Sequence, residues 1–173
     1  MDIRETLQHP IKVDREEYLR RLTSIDRNNL QTLRGLFGEA ATKKKRTGAL
    51  FVVGGSIIKP LPRKDIDIAV VFEEIPNDFS DGNKLTPYRQ AIKDFSVFKQ
   101  VFEELTIRDD SFKIEHTVEP LIDEEFGSES ILKHDGSITL ACKKGGTPIE
   151  FIRITDRGAD NFIKQSKEPF VLL

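Results

Sequence analysis

Asp65 and Asp67 stand two residues apart in a run that is otherwise apolar, Ile66, Ile68, Ala69, Val70, Val71 and Phe72. Successive side chains of a strand point to opposite faces, so the two carboxylates project together while Ile66 and Ile68 turn the other way, into a core. Two like charges this close oppose each other's ionisation unless a cation offsets them, and hard divalent ions prefer oxygen ligands. The expected partner is Mg²⁺ or Mn²⁺. Glu150, flanked by Ile149 and Phe151, repeats the arrangement on a later segment. If that strand lies beside the first, three acids converge, enough to hold two metal ions about 4 Å apart for in-line displacement at phosphorus. Glu115, in the segment Phe112 to His116, competes for the place of third acid.

The residues before the acidic pair suit a phosphate. Gly54 and Gly55 let the backbone approach an anion and take up conformations that other residues resist. Ser56 adds a hydroxyl, and the N–H groups after it can open a short helix or nest. Lys59, Arg63 and Lys64 fill the connector and are placed to neutralise charge developing on a pyrophosphate leaving group.

The elements that must position these residues follow from hydrophobic spacing. Asp14 with Glu17 forms a capping box, after which Tyr18, Leu19, Leu22, Ile25, Leu30, Leu33, Leu36 and Phe37 recur at helical intervals. One long amphipathic helix is expected over 14–38, ending near Gly38 or in the basic run Lys43 to Arg46. Ala49 to Val53 is a buried-type strand closed by the glycines, and Ile66 to Phe72 is a second. Pro87 opens another helix through Leu105, Ser111 to Val118 suits a strand, and the turn Lys143 to Gly146 joins a hairpin of Ser137–Cys142 and Pro148–Ile154. The stretches Glu74–Thr86 and Asp123–Asp135 read as loops, and Gly158–Leu173 as a last short helix.

At 173 residues the chain has the usual size of one domain, and residues 1–173 are expected to form a single α+β unit. A 38% hydrophobic and 32% charged composition excludes disordered and fibrous classes. No run reaches the roughly 18 apolar residues a membrane span requires, and Met1 to Glu5 lacks a signal-peptide pattern, so a cytoplasmic protein is expected. The lone Cys142 has no ligand-spaced partners and belongs in the core, and His9, His116 and His134 likewise lack companions. The net charge of −2 exerts no overall pull toward nucleic acid. The glycines fit neither a P-loop nor a dinucleotide-binding fingerprint.

A buried strand ending in Gly54-Gly55-Ser56, a short connector, and Asp65-Ile66-Asp67-Ile68 on a second strand resembles the signature of the DNA polymerase β-like nucleotidyltransferase superfamily, over roughly Leu33 to Ile154. The resemblance implies a small mixed β-sheet with helices packed against it. It assigns the nucleotide's phosphates to Gly55 and Ser56, and divalent metal to Asp65, Asp67 and Glu150. The implied activity is transfer of a nucleoside monophosphate from an NTP to a hydroxyl of a nucleic-acid or small-molecule acceptor. Larger members continue into a helical domain that recognises the acceptor, whereas here the sequence stops soon after the third acid. A homo-oligomer or a helical partner protein is the expected substitute. The alternatives are a non-catalytic nucleotide-binding or complex-forming module of the same fold, and a structural α+β domain with solvated acids.

Overall fold

The computed structural model describes residues 12–54, 57, 64–73, 87–123, 131–155, 162–164 and 166–173. Helix α1 (Arg15–Arg21) starts as its sequence dictates: Asp14 Oδ1 accepts the Glu17 N–H at 3.0 Å, satisfying one of the free donors of the first turn. It does not run on to Gly38. The chain breaks at Leu22 and Thr23, and the Thr23 hydroxyl accepts the Asp26 N–H at 3.2 Å to start α2 (Ser24–Lys43). Thr23 and Asp26 have the same i, i+3 cap spacing as Asp14 and Glu17, but an unbroken apolar rhythm hides the junction. Gly38 does not end α2 either. Open space surrounds both Gly35 and Gly38, and the helix continues into the basic run.

Eight strands are described: β1 (Gly48–Val53), β2 (Ile66–Phe72), β3 (Phe112–Val118), β4 (Leu121–Asp123), β5 (Ile131–His134), β6 (Ser137–Cys142), β7 (Ile149–Thr155) and β8 (Phe170–Leu172). Between β2 and β3 runs α3 (Pro87–Arg108). Six strands form one mixed sheet in the order β3-β6-β7-β2-β1-β8. All neighbours are antiparallel except β2 and β7, which are parallel, so the chain must cross over between them, and α3 lies on that crossover. The architecture is therefore α+β, with helices packed on a mixed sheet.

Two segments differ from expectation. The stretch 123–135 is not a plain loop: its end at Ile131–His134 is β5, which pairs with β4 (Leu121–Asp123) as a separate two-stranded sheet. The tail after Gly158 is helical only at 162–164 among the described residues. Phe170 to Leu172 then adds β8 to the edge of β1, because Phe170 and Val171 each bury their side chains completely, one on each face of the sheet. A short apolar triplet after Pro169 carries too little periodicity to announce a strand.

One face of the sheet carries the main core. Leu50, Val52, Ile68, Val70, Phe72, Ile138, Leu140 and Phe151 meet Leu30, Leu33 and Phe37 of α2 and Phe95, Phe98 and Phe102 of α3. Phe98 and Phe102 pack on Phe151 at ring-centroid distances of 5.5 and 4.4 Å. Burying such a side chain contributes about 1.5–3 kcal/mol, so this aromatic seam fixes α3 over β7. The opposite face has a smaller cluster, Phe51, Val53, Ala69, Val71 and Phe170, on which Phe162 stacks 4.5 Å from Phe51. Among the described residues, no helix is long and apolar enough to cross a membrane.

Candidate metal centre

The parallel pairing of β2 with β7 places Asp67 directly opposite Glu150, and Ile66 opposite Ile149. Cross-strand partners share a face, so both acids leave the sheet on the side away from α2 and α3 while Ile66, Ile68, Ile149 and Phe151 fill the core. The Ile66 N–H, lying between the two aspartates, donates to the Pro148 carbonyl at 2.9 Å and ties the start of β2 to that of β7. One carboxylate oxygen from each of Asp65, Asp67 and Glu150 lies within 4.8 Å of the other two. All three acids are partly accessible to solvent, Asp67 and Glu150 being half-buried.

The other acid considered for this position stands elsewhere. Glu115 is the extra residue at the bulge where the β3–β6 register shifts, and it is exposed. Strands lie about 4.8 Å apart, and β6 and β7 separate β3 from β2. His116 lies on the same strand and is exposed, opposite Thr139.

β7 is aimed from behind by the N-terminal turn of α2. Asp26 is 3% exposed, and its carboxylate accepts the Thr147 N–H at 2.7 Å and the Thr147 hydroxyl at 2.9 Å. Asn29 donates to the Gly145 carbonyl at 3.1 Å. Gly146, at φ +108°, passes so close that a Cβ there would sit 2.8 Å from Asp26 and Asn29. These contacts hold the β6–β7 turn, and three residues past Thr147 the chain delivers Glu150. Cys142 lies at the same corner, its thiol 3.5 Å from the Thr147 carbonyl. Burial, reinforced by the Asp26 charge and opposed by Asn29, pushes that thiol up to about 11. It is thus a packing residue. Asp26, Asn29 and Thr147 have no recognisable motif; only the tertiary contact reveals them.

The glycine turn adjoins the acids. Gly54 adopts φ +88°, a left-handed conformation that side chains resist, and a Cβ built there would lie 3.9 Å from Asp67 Oδ2. Its N–H donates to the Pro169 carbonyl at 3.3 Å, and its own carbonyl accepts the Ile57 N–H at 3.2 Å. Ile57 is buried against the main core. Gly55, Ser56, Lys59 and Arg63 lie outside the described residues, and Lys64 is exposed next to Asp65.

The donor set fits a hard divalent cation. All three groups offer carboxylate oxygen, and ligands on one Mg²⁺ stand about 3–4 Å apart at Mg–O distances of about 2.1 Å. Oxygens within 4.8 Å need shift by less than about 1 Å to share one ion. The sheet face divides at this point: Val53 on β1, paired with Phe170, begins the apolar cluster, whereas Thr139 on β6, paired with Glu150, continues polar residues outward. The acids therefore have a hydrophobic wall on one side only. Comparison of the chain with protein-family models, with curated proteins and with solved structures yields no match.

Proposed function

We propose that this chain is a metal-dependent nucleotidyltransferase, built on a DNA polymerase β-like nucleotidyltransferase fold, that transfers a nucleoside monophosphate from an NTP to a hydroxyl acceptor. The observation that carries this reading is the meeting of Asp65, Asp67 and Glu150 within 4.8 Å beside the left-handed Gly54. Three acids alone would suit many roles. The left-handed Gly54 beside the same cluster, where an added Cβ would lie 3.9 Å from Asp67 Oδ2, supports phosphoryl chemistry over those other roles.

In this reading Asp65, Asp67 and Glu150 hold Mg²⁺, with Mn²⁺ as a substitute. The bound cation supplies charge neutralisation for the phosphates and acidifies the attacking hydroxyl. The Gly54 turn, with Gly55 and Ser56, takes the triphosphate, and Lys59, Arg63 and Lys64 neutralise the departing pyrophosphate. The acceptor oxygen forms a bond to the α-phosphorus as the bond to the bridging oxygen breaks, and pyrophosphate leaves with that electron pair. In this reading a carboxylate oxygen of the cluster receives the acceptor's proton. The apolar wall at Val53 and Phe170 lowers the local dielectric on one side, strengthening charge interactions there.

The test is to titrate the protein with each NTP, with and without Mg²⁺, and to follow pyrophosphate release for the wild type, Asp65→Ala and Asp67→Ala. Metal-dependent binding with turnover that both variants lose is the expected result. Metal-dependent binding without turnover, across hydroxyl acceptors, would make the chain a nucleotide-binding module instead. Absence of any metal-dependent NTP binding by the wild type would refute both.

A further inference from the structure

We propose that Asp26 is a positioning residue for the metal cluster, acting through Thr147 on all three acids; this rests on the reading of Asp65, Asp67 and Glu150 as metal ligands. Those acids hang from one end of the parallel strand pair. Asp65 precedes β2, Asp67 is the second residue of that strand, and Glu150 is the second residue of β7. The terminal rungs of a ladder open most readily. A cation tolerates little of that motion, because its ligands must meet it within about 0.2 Å of their ideal distances.

The chain just before β7 is where this end is fixed. Pro148 has no N–H to offer, so the anchoring falls to Thr147, whose N–H and hydroxyl both donate to the Asp26 carboxylate, at 2.7 and 2.9 Å. The Pro148 carbonyl in turn accepts the Ile66 N–H at 2.9 Å, and Ile66 stands between Asp65 and Asp67. One short path, Asp26 to Thr147 to Pro148, therefore branches to the acidic pair through a hydrogen bond and to Glu150 along the chain. Asp26 is itself held firmly. It is 3% exposed and lies in the first turn of α2, which is seated on the sheet through Leu30, Leu33 and Phe37.

The chemistry of the corner fits a carboxylate rather than bulk. A buried carboxylate is costly unless its oxygens are paired, and here Oδ1 and Oδ2 each meet a donor of the same residue. Starting α2 does not require this, since the Thr23 hydroxyl already caps that helix by accepting the Asp26 N–H. Gly146 lets the turn come this near: a Cβ there would lie 2.8 Å from Asp26 Oδ1 and from Asn29 Nδ2, and 3.1 Å from Ile25. Helix and turn are thus shaped to each other at the point from which the three ligands are aimed.

The experiment titrates the full chain with Mn²⁺, followed by loss of the free-ion EPR signal, alongside thermal unfolding. Asp67→Ala identifies the ion read out as the one at the cluster, by abolishing its binding. For Asp26→Ala, which leaves both Thr147 donors without their acceptor, we expect Mn²⁺ to bind about tenfold more weakly, the lower end of what losing an outer-sphere contact costs a metal site. Asp26→Asn, whose amide can accept the Thr147 N–H and donate to its hydroxyl, should stay within about threefold of the wild type. Leu33→Ala is the comparison: it loosens α2 from the core and lowers the unfolding temperature but leaves Thr147 alone, so its Mn²⁺ affinity should stay within about twofold. Wild-type affinity in Asp26→Ala would overturn the inference, and so would an equal loss in Leu33→Ala, which would make the effect one of general stability; both outcomes leave the metal reading in place. A wild type that binds no Mn²⁺, or binding that survives Asp67→Ala, removes the metal reading and this inference together. If Asp26→Ala does not fold, Thr147→Val decides: it loses the hydroxyl bond alone, about threefold weaker binding is expected, and unchanged binding refutes the role of Asp26.

Discussion

Replacing Glu150 by glutamine should make the metal-free protein more stable and remove most of the extra stability that Mg²⁺ gives the wild type. The substitution keeps the shape of the side chain and removes one of three charges whose nearest oxygens lie within 4.8 Å of each other. At that separation two unit charges in water-like surroundings repel by about 1 kcal/mol. Glu150 faces two such charges and is half-buried, so relief of about 1–2 kcal/mol is expected at low salt, shrinking toward zero as added NaCl screens the pairs. On the proposed metal reading, Mg²⁺ should stabilise the wild type by mass action, about 1.4 kcal/mol at ten times its Kd, and the variant should forfeit most of that gain. Urea unfolding with and without MgCl₂, at two salt concentrations, reads all of these terms from the midpoint while the slope stays constant. If Glu150→Gln lowers metal-free stability, or if Mg²⁺ raises both proteins equally, the three carboxylates do not act as one electrostatic unit and the argument fails.

Three further outcomes follow from single sites. Gly54→Ala should cost about 1–2 kcal/mol through its φ of +88° alone, because the added Cβ meets Asp67 Oδ2 only at an ordinary 3.9 Å, and a urea midpoint checks it. Asp94→Ala should cost about 3–5 kcal/mol in the same measurement, since it leaves the buried Arg46 guanidinium, bonded at 2.8 Å to Asp94 and 5.0 Å from the Phe72 ring centre, without its carboxylate. Cys142 should resist alkylation at neutral pH and react only as the pH nears 11, and Asp26→Asn should move that profile downward, because removing a negative charge favours the thiolate. The raised value means that the folded state holds the thiol proton more tightly, so stability is lost as the pH climbs from the ordinary thiol range to about 11. A reactivity profile centred near 9 in the folded protein would contradict this.

What the sequence disclosed about the site was local, and what it withheld was contact between distant segments. The alternation of Asp65 and Asp67 with Ile66 and Ile68 names both faces of β2, and the same alternation around Glu150 names those of β7. Whether β7 or β3 lies beside β2 depends on strand order, which alternation does not encode. Glu115 and Glu150 therefore look alike until the sheet is assembled. The joint at Thr23 was concealed because apolar residues continue at helical spacing through it, and a cap signal inside a run of good helix formers competes poorly with that rhythm. β8 was concealed for the opposite reason: three residues are too few to show a period, and their strand character comes from the partner β1. Asp26 resembles any acidic residue in a first helical turn, yet its carboxylate bonds across the molecule to Thr147.

The parallel pair β2 and β7 sets an order of events in folding. Asp67 and Glu150 meet only across a connection that contains α3 and four other strands, and pairing over so long a loop is slow relative to hairpins and helices. A nascent or partly refolded chain can therefore have β1, β2 and their acidic pair in place while still lacking the third oxygen donor. Cation affinity should rise late and abruptly, when β7 docks, so that a divalent ion discriminates between finished and unfinished copies of the protein. On the proposed reading of the three acids as a metal site, binding would then act as a latch on the last long-range pairing, drawing the ensemble toward chains in which the sheet has closed.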